Sequence, residues 1–285
     1  MKILFMGFGK MAREHYLPKL VKGTEIYYFD PFVESTEHKA YKSGDGDFDL
    51  CIITSLNSEH FENYKLVRNS CKRFIIEKPV VCSNQEYLRL SKDDSIIYTG
   101  HILRQNASSL WLKDFLSSIN EREIKEVQIS AGNPYSWNRN IDFNNKNWRL
   151  NYGVLHDVGV HLLDMFFWAL SATEEDSISR MTSAYDENGL NFRASCEFRD
   201  IPMHIRFSNQ EFLPFEIRIK IKDDCVIWSP SKIVFRSYNK SFKPVFNSSE
   251  EPISSVLYHA LMDKKDSPFI LTETYKCVTE FFDKI

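Results

Sequence analysis

The segment that most restricts the fold is the first thirty residues. KILFM at 2–6 is a short apolar run of strand character, and GFGKMA follows at 7–12. A helical pattern runs on to Leu20 or Val21, and EIYYFD at 25–30 is a second strand ending on an acid. A Gly-x-Gly-x-x-Ala loop between strand and helix, with a carboxylate at the next strand's end, is the pattern of a dinucleotide-binding βαβ unit. Gly7 makes the tight turn, Gly9 admits the backbone to a pyrophosphate, and Ala12 packs helix on sheet. The loop and first-turn residues Phe8, Lys10 and Met11 are expected to face the phosphates, because the first amides of a helix have no internal acceptor. Asp30 can accept both hydroxyls of an adenosine ribose and would repel a 2′-phosphate, which predicts NAD in preference to NADP. A glycine turn that binds nothing is the plain alternative; the flanking strands and Asp30 count against it.

The alternation continues. DLCIITS at 49–55 is a strand with Thr54 and Ser55 at its exit, followed by Asn57 and a helical stretch over 58–70 that includes His60. RFIIEKPV at 73–80 is a strand that runs into Pro79, and SIIYTGH at 95–101 is another. Between them SNQEYLRLSKD at 83–93 opens with Ser83 and, three residues on, Glu86, a capping box. Short apolar strands separated by helices predict a mainly parallel sheet with ligands outside the strand C-termini. Thr54, Ser55, Asn57, His60, Glu77 and Lys78 are therefore expected around the nicotinamide. Pro79 has no amide for a ladder, so the strand stops there and Lys78 is free to hydrogen-bond an alcohol oxygen. A surface Lys paired with Glu77 is the plain alternative, as helix capping and packing are for Asn57 and His60.

From about residue 121 the period changes to two. The clearest case is FEIRIKI at 215–221, with Phe215, Ile217, Ile219 and Ile221 on one side and Glu216, Arg218 and Lys220 on the other. Similar runs at 123–132, 180–186, 191–199, 202–208, 225–229 and 232–238 predict an antiparallel sheet with one covered face. The expected fold class is α/β: an N-terminal Rossmann domain over 1–120, then an α+β domain over 121–285 with a large, open, predominantly antiparallel sheet. Two C-terminal helices, near 255–263 and 272–284, are able to pack back on the first domain.

HDVGVHLLD at 156–164 places ionisable groups in an apolar helix. Asp157 and His161 are four residues apart and share a helical face, where a carboxylate can orient an imidazole for acid–base work. A satisfied buried pair is the bland reading. Trp148 and Arg149 are candidates to cover cofactor or sugar, Tyr152 and His156 to line the same pocket, and Arg104 to meet a substrate carboxylate or phosphate. A salt bridge across the interdomain joint is the alternative for Arg104.

Composition removes several functions. Formal net charge is −3 with no block of like charge, which argues against a nucleic-acid groove. Six cysteines lie at 51, 71, 82, 196, 225 and 277 with no C-x-x-C and no zinc spacing, so reduced structural thiols and no metal are expected. The N-terminal apolar run is too short for a signal peptide and no window suits a membrane span, which makes a cytoplasmic location the default expectation.

The order of motifs resembles the Gfo/Idh/MocA family, the glucose–fructose oxidoreductase and inositol dehydrogenase-like enzymes. GFGKMA resembles its nucleotide loop, IITSLNSEH its strand and turn beside the nicotinamide ribose, EKP at 77–79 its short motif, TGHILRQNAS at 99–108 its linking segment, and WRLNYGVLHDVGVHLLD its substrate helix. The resemblance covers nearly the whole chain. It implies an NAD(P)-dependent enzyme moving hydride between nicotinamide and a secondary alcohol or ketone of a sugar or nucleotide sugar, in modified-sugar biosynthesis. It implies Lys78 and His161 as the catalytic pair, with Asp157 orienting the imidazole or touching substrate. It also implies a homodimer or homotetramer formed through the open sheet. Leu56 stands where the family usually has proline, and only Gly153 remains of a glycine-rich approach to the substrate helix. Two other readings fit the same scaffold: a biliverdin-reductase-like reductase of a non-sugar substrate, and a non-catalytic NAD(P)-sensing regulator.

Overall fold

The computed structural model describes residues 1–42, 46–134, 151, 153–237, 240–242 and 251–285, with the backbone alone at 237 and 240–242. The chain groups into two compact units, Met1–Ile102 with Glu250–Leu271, and Leu103–Ser249 with Thr272–Ile285. This grouping differs from a single cut at residue 120: residues 103–120 go with the second unit, and 250–271 with the first.

The first unit holds a six-stranded sheet of order β3-β2-β1-β4-β5-β6. Its strands are β1 (Lys2–Met6), β2 (Glu25–Phe29), β3 (Lys39–Ala40), β4 (Leu50–Ile53), β5 (Arg73–Ile76) and β6 (Ile96–Thr99). Every pairing is parallel. The order reverses between β1 and β4, the switch point at which such sheets bind ligands beyond the strand ends. LCII of β4 is buried at all four positions, as expected of a parallel strand covered on both faces. Helices α1 (His60–Val67) and α2 (Asn84–Leu90) lie in the connections. Ser83 caps α2 by accepting the Glu86 N–H at 3.3 Å, while the Glu86 carboxylate accepts the Cys82 N–H at 2.9 Å. The capping box thus closes one residue earlier than its usual form. The helix expected after the glycine loop is a single π-type turn, Met11–Tyr16, then a 3₁₀ turn, Leu17–Lys19, that contains Pro18. The core joins Ile3, Phe5, Phe8 and Tyr98 to Val256, Leu257 and Phe269 from the returning segment.

The second unit carries helices α3 (Ala107–Ser118), α4 (Val160–Ala169) and, at its end, α6 (Tyr275–Asp283); α5 (Pro252–Leu261) belongs to the first. Its sheet has eight strands: β7 (Ile124–Gly132), β8 (Ile178–Tyr185), β9 (Asn191–Phe198), β10 (Ile201–Ser208), β11 (Leu213–Ile221), β12 (Asp224–Ser229), β13 (Lys232–Ser237) and β14 (Lys240–Phe242). Their order is β14-β13-β12-β11-β7-β10-β9-β8. β7 pairs with β10 in parallel and all other pairings are antiparallel. The predominantly antiparallel sheet expected from the period-two runs is present, with that one parallel pair at its centre. Ile217, Ile219 and Ile221 are buried beneath the helices, as their alternation requires. The other face is open and polar, with a shallow concavity of about 680 Å³ lined by Gln128, Arg193, Ser195, His204, Arg206 and Arg218 among others. The chain comes close to the sheet at Gly159, just before α4, where a Cβ would lie 2.5 Å from the Phe207 ring.

Among the described residues no helix is long and apolar enough to cross a membrane. All six cysteines are free.

Candidate nucleotide and acid–base sites

The glycine loop is built by steric exclusion. Gly7 has φ +88°, and a Cβ there would stand 2.5 Å from the Ser55 amide nitrogen. A side chain is thus refused both by the left-handed backbone and by the strand beside it. The turn is fastened on both sides. The Gly7 N–H donates to the Phe29 carbonyl at 2.8 Å, and the Thr54 hydroxyl donates to the Gly7 carbonyl at 2.8 Å. A Cβ on Gly9 would meet nothing within 4 Å, so the loop presents open backbone where a pyrophosphate has to approach. Its residues fit a dinucleotide. Lys10 is exposed and pairs with Glu14 at 3.8 Å. Met11 is half-buried and packs on the core, whereas Phe8 is 1% exposed, its ring stacked on Tyr28 at 4.9 Å.

Asp30 is tied into the same loop. Its Oδ2 accepts the Phe8 N–H at 2.7 Å and its Oδ1 accepts the Phe32 N–H at 2.9 Å. Each carboxylate oxygen keeps a further acceptor direction for a ribose hydroxyl. The Phe8 amide, expected to face phosphate, is spent on this carboxylate.

At the exit of β4, Ser55 accepts the Asn63 amide at 2.8 Å on its hydroxyl. Leu56, in the usual proline position, has φ −64°, a value proline itself would impose, so the turn keeps its course without the ring. Asn57 starts the next 3₁₀ turn, and its carbonyl accepts the Cys82 thiol at 3.4 Å. His60 is 1% exposed. Its Nδ1 is 2.8 Å from the Pro79 carbonyl and its Nε2 is 3.1 Å from the Ser55 carbonyl, which makes it a strut between two strand exits. Burial pulls its pKa down to about 4.

The Glu77-Lys78-Pro79 turn leaves β5, with a cis peptide between Lys78 and Pro79. Lys78 is half-buried at the strand exit. Glu77 is 6% exposed. The Tyr16 hydroxyl donates to Oε1 at 2.5 Å and the Lys78 backbone N–H to Oε2 at 3.2 Å. Gly100 lies so close that a Cβ there would be 2.7 Å from that carboxylate. Burial pushes the Glu77 carboxyl up, and burial together with Glu77 pushes the Tyr16 hydroxyl well up. Tyr16 and Gly100 were not foreseen as members of this cluster. The only sequence signal is a Tyr at the foot of the loop helix and a Gly at the end of the strand neighbouring β5.

In the second unit, Leu155–Gly159 is a π-type turn that runs into α4. Such turns are rare and collect at functional sites; among the described residues one follows the glycine loop and one carries Asp157. Asp157 and His161 are both half-buried and lie on consecutive turns of this element. The Asp157 N–H donates to the Gly153 carbonyl at 2.9 Å. His156 turns inward: it is 2% exposed and its ring lies 4.4 Å from that of Phe282. Arg104 is fully buried and binds Asp164 through two bonds, Nε to Oδ2 at 2.8 Å and Nη2 to Oδ1 at 2.5 Å. Burial pushes the Asp164 carboxyl up, against the pull of Arg104. The alternative weighed for Arg104 is a salt bridge across the joint between domains; the pair that forms here lies within the second unit. Trp148, Arg149 and Tyr152 lie outside the described residues.

No protein-family model matches the chain. No curated protein matches its sequence. Solved structures match it from end to end. The UDP-N-acetylglucosamine 3-dehydrogenase of Acidithiobacillus ferrooxidans superposes with a TM-score of 0.76 at 14% identity, over 100% of this chain and 96% of that one. The aldose-aldose oxidoreductase of Caulobacter crescentus, complexed with glycerol, gives 0.72 at 13% identity, over 98% and 94%. A super-repressor mutant of Gal80p from Saccharomyces cerevisiae gives 0.72 at 12% identity, over 100% and 94%. The chain shares their fold. Oxidoreductases and dehydrogenases recur among the matching structures, in agreement with the resemblance read from the motifs.

Proposed function

We propose that the chain is an NAD(P)-dependent oxidoreductase of the Gfo/Idh/MocA type. In this reading it acts on a secondary alcohol or ketone of a sugar or nucleotide sugar, in modified-sugar biosynthesis, and prefers NAD. The observation that carries the reading is the loop at the sheet's switch point: Gly7 forced against Ser55, Gly9 open, and Asp30 fastened to both the loop and the turn after β2. Gly9, Lys10 and Met11 would hold the pyrophosphate, and Asp30 the adenosine ribose. Thr54 and Ser55 shape the floor beneath Gly7, with Asn57, His60 and Glu77 supporting the exits of β4 and β5.

The bound nicotinamide supplies the hydride donor or acceptor. The remaining work falls to the protein. Lys78 stabilises developing charge on the substrate oxygen, and His161 takes or returns its proton. Asp157 orients the imidazole or contacts the substrate. Trp148, Arg149 and Tyr152 remain candidates for substrate contact; the burial of Arg104 and His156 speaks for supporting roles. Self-association through the open face of the eight-stranded sheet belongs to the same proposal. So does a cytoplasmic location.

A regulatory reading, in which the chain binds a dinucleotide without turning it over, is favoured by one observation, the full-length fold likeness to a repressor. NADH titration, followed by turnover of NAD⁺ on a panel of UDP-sugars and aldoses, separates the two. NADH binding with turnover that falls at least a hundredfold in both Lys78→Met and His161→Ala is the expected result. Tight NADH binding with no turnover across the panel would favour regulation, and no binding of NADH or NADPH would end both readings.

A further inference from the structure

We propose that Phe32 is the stacking face for the adenine base of the dinucleotide, presented by the same Asp30 carboxylate that takes the ribose. The inference rests on the nucleotide-binding reading above and assigns it one more residue.

The turn after β2 is held, not loose. The Ser35 N–H donates to the Tyr28 hydroxyl at 2.8 Å, and the His38 ring meets Phe8 edge-on at 5.6 Å. Val33 packs against the core of the first unit. Within this anchored stretch Phe32 is turned fully out, at 91% exposed, against 39% for Phe29 at the end of β2 and 6% and 1% for Tyr28 and Phe8. A single exposed apolar side chain is ordinary on a protein surface. Phe32 is distinguished by its place. Its own amide is bonded to Asp30 Oδ1 at 2.9 Å, so it is fixed two residues beyond the group that would hold the ribose. The base hangs from that ribose. Adenine is flat, neutral and weakly hydrated on its faces, and it needs an apolar plane more than it needs charge. The other exposed residues of the turn, Pro31, Glu34, Thr36 and Glu37, present no aromatic surface. Burying a Phe ring also recovers much of the free energy lost by leaving it in water.

The arrangement gives Asp30 two tasks, ribose acceptance and orientation of Phe32. Recognition of the adenosine half is then set by one carboxylate and the ring it anchors.

The test uses the full chain and NADH, followed by energy transfer from protein tryptophan to the reduced nicotinamide. AMP serves as competitor. Phe32→Ala is expected to weaken NADH about tenfold and AMP by the same factor, as loss of one base–aromatic stack would. Phe32→Tyr, which keeps the ring, should stay within twofold of the parent chain. Because the side chain is exposed, the melting temperature of Phe32→Ala should match the parent. An NADH affinity unchanged in Phe32→Ala would overturn the proposal and leave the dinucleotide reading standing. A loss for NADH that AMP does not share would also overturn it, since the ring would then be acting elsewhere. A parent chain that binds neither NADH nor AMP would overturn the dinucleotide reading and this inference with it.

Discussion

At the scale of single residues, burial decides what the ionisable groups can do. His60 is enclosed between two carbonyls, and burial lowers its pKa to about 4 from an unfolded value near 6.5. The folded state therefore binds fewer protons than the unfolded state between those values. The stability that comes from keeping the ring neutral is complete above pH 6.5. It is lost as pH falls toward 4, to a total of about 3 kcal/mol. His60→Gln retains a donor for one carbonyl and removes the titration. Urea unfolding at pH 4, 5.5 and 7 should show a steeper acid loss in the parent than in His60→Gln; parallel profiles would refute the assignment. The contrast between His60 and Gly7 also explains what the sequence disclosed at this scale. Gly7, Gly9 and Asp30 were legible because one βαβ unit contains nearly all of their chemistry. His60, Glu77 and Arg104 were not, because what they touch lies far along the chain: 19 residues for His60 to Pro79, 61 for Tyr16 to Glu77 and 60 for Arg104 to Asp164. A carboxylate or guanidinium in the sequence does not say whether it will face a ligand or a buried partner.

At the scale of elements, the strands were readable wherever burial imposed a period. β1 falls on its expected residues, and β9 through β13 lie within a few residues of theirs, because an apolar run or an alternation is a direct record of which faces are covered. α3 passed unnoticed, although Trp111 and Phe115 stack one turn apart at 5.0 Å, a spacing that is visible in hindsight. The π-type turns had no sequence signal, since one inserted residue per turn leaves the apolar pattern nearly intact. Gly159, unlike Gly153, stands in no motif that marks it in the sequence. Its role is clearance: the turn leading into α4 reaches β10 only because no Cβ stands between it and Phe207. Gly159→Ala should cost roughly 1–3 kcal/mol by overpacking, measured as a fall in the urea midpoint. Combining it with Phe207→Leu should recover part of the loss. If Gly159→Ala unfolds at the parental midpoint, the helix has room that the packing denies.

At the scale of the whole molecule, the first unit is made from two separate stretches of chain. Ile253, Val256, Leu257, Ala260 and Phe269 belong to its core. The Arg73 guanidinium donates to the carbonyls of Ala260 and Leu261 at 3.0 and 2.9 Å, closing the C-terminus of α5 on β5. The Thr99 N–H donates to the Phe269 carbonyl at 2.7 Å, and the Leu271 N–H to the Ile97 carbonyl at 2.9 Å. A fragment ending at residue 102 lacks all of these and leaves an apolar sheet face bare. It should show strand signal in far-ultraviolet circular dichroism, no cooperative melt, and dye binding typical of exposed apolar surface. The same fragment with 250–271 joined to it by a flexible linker should melt cooperatively. A cooperative melt of 1–102 alone would refute the dependence.

This threading sets an order of events during synthesis. The nucleotide loop emerges from the ribosome well before 250–271, the segment that completes its unit. At about 5–20 residues per second the parallel sheet waits many seconds with one face uncovered. The second unit's eight strands are all translated in that interval. The unit begun earlier therefore closes only after the other unit's sheet has been made, and an apolar sheet face stays open to solvent or to a chaperone until 250–271 arrives.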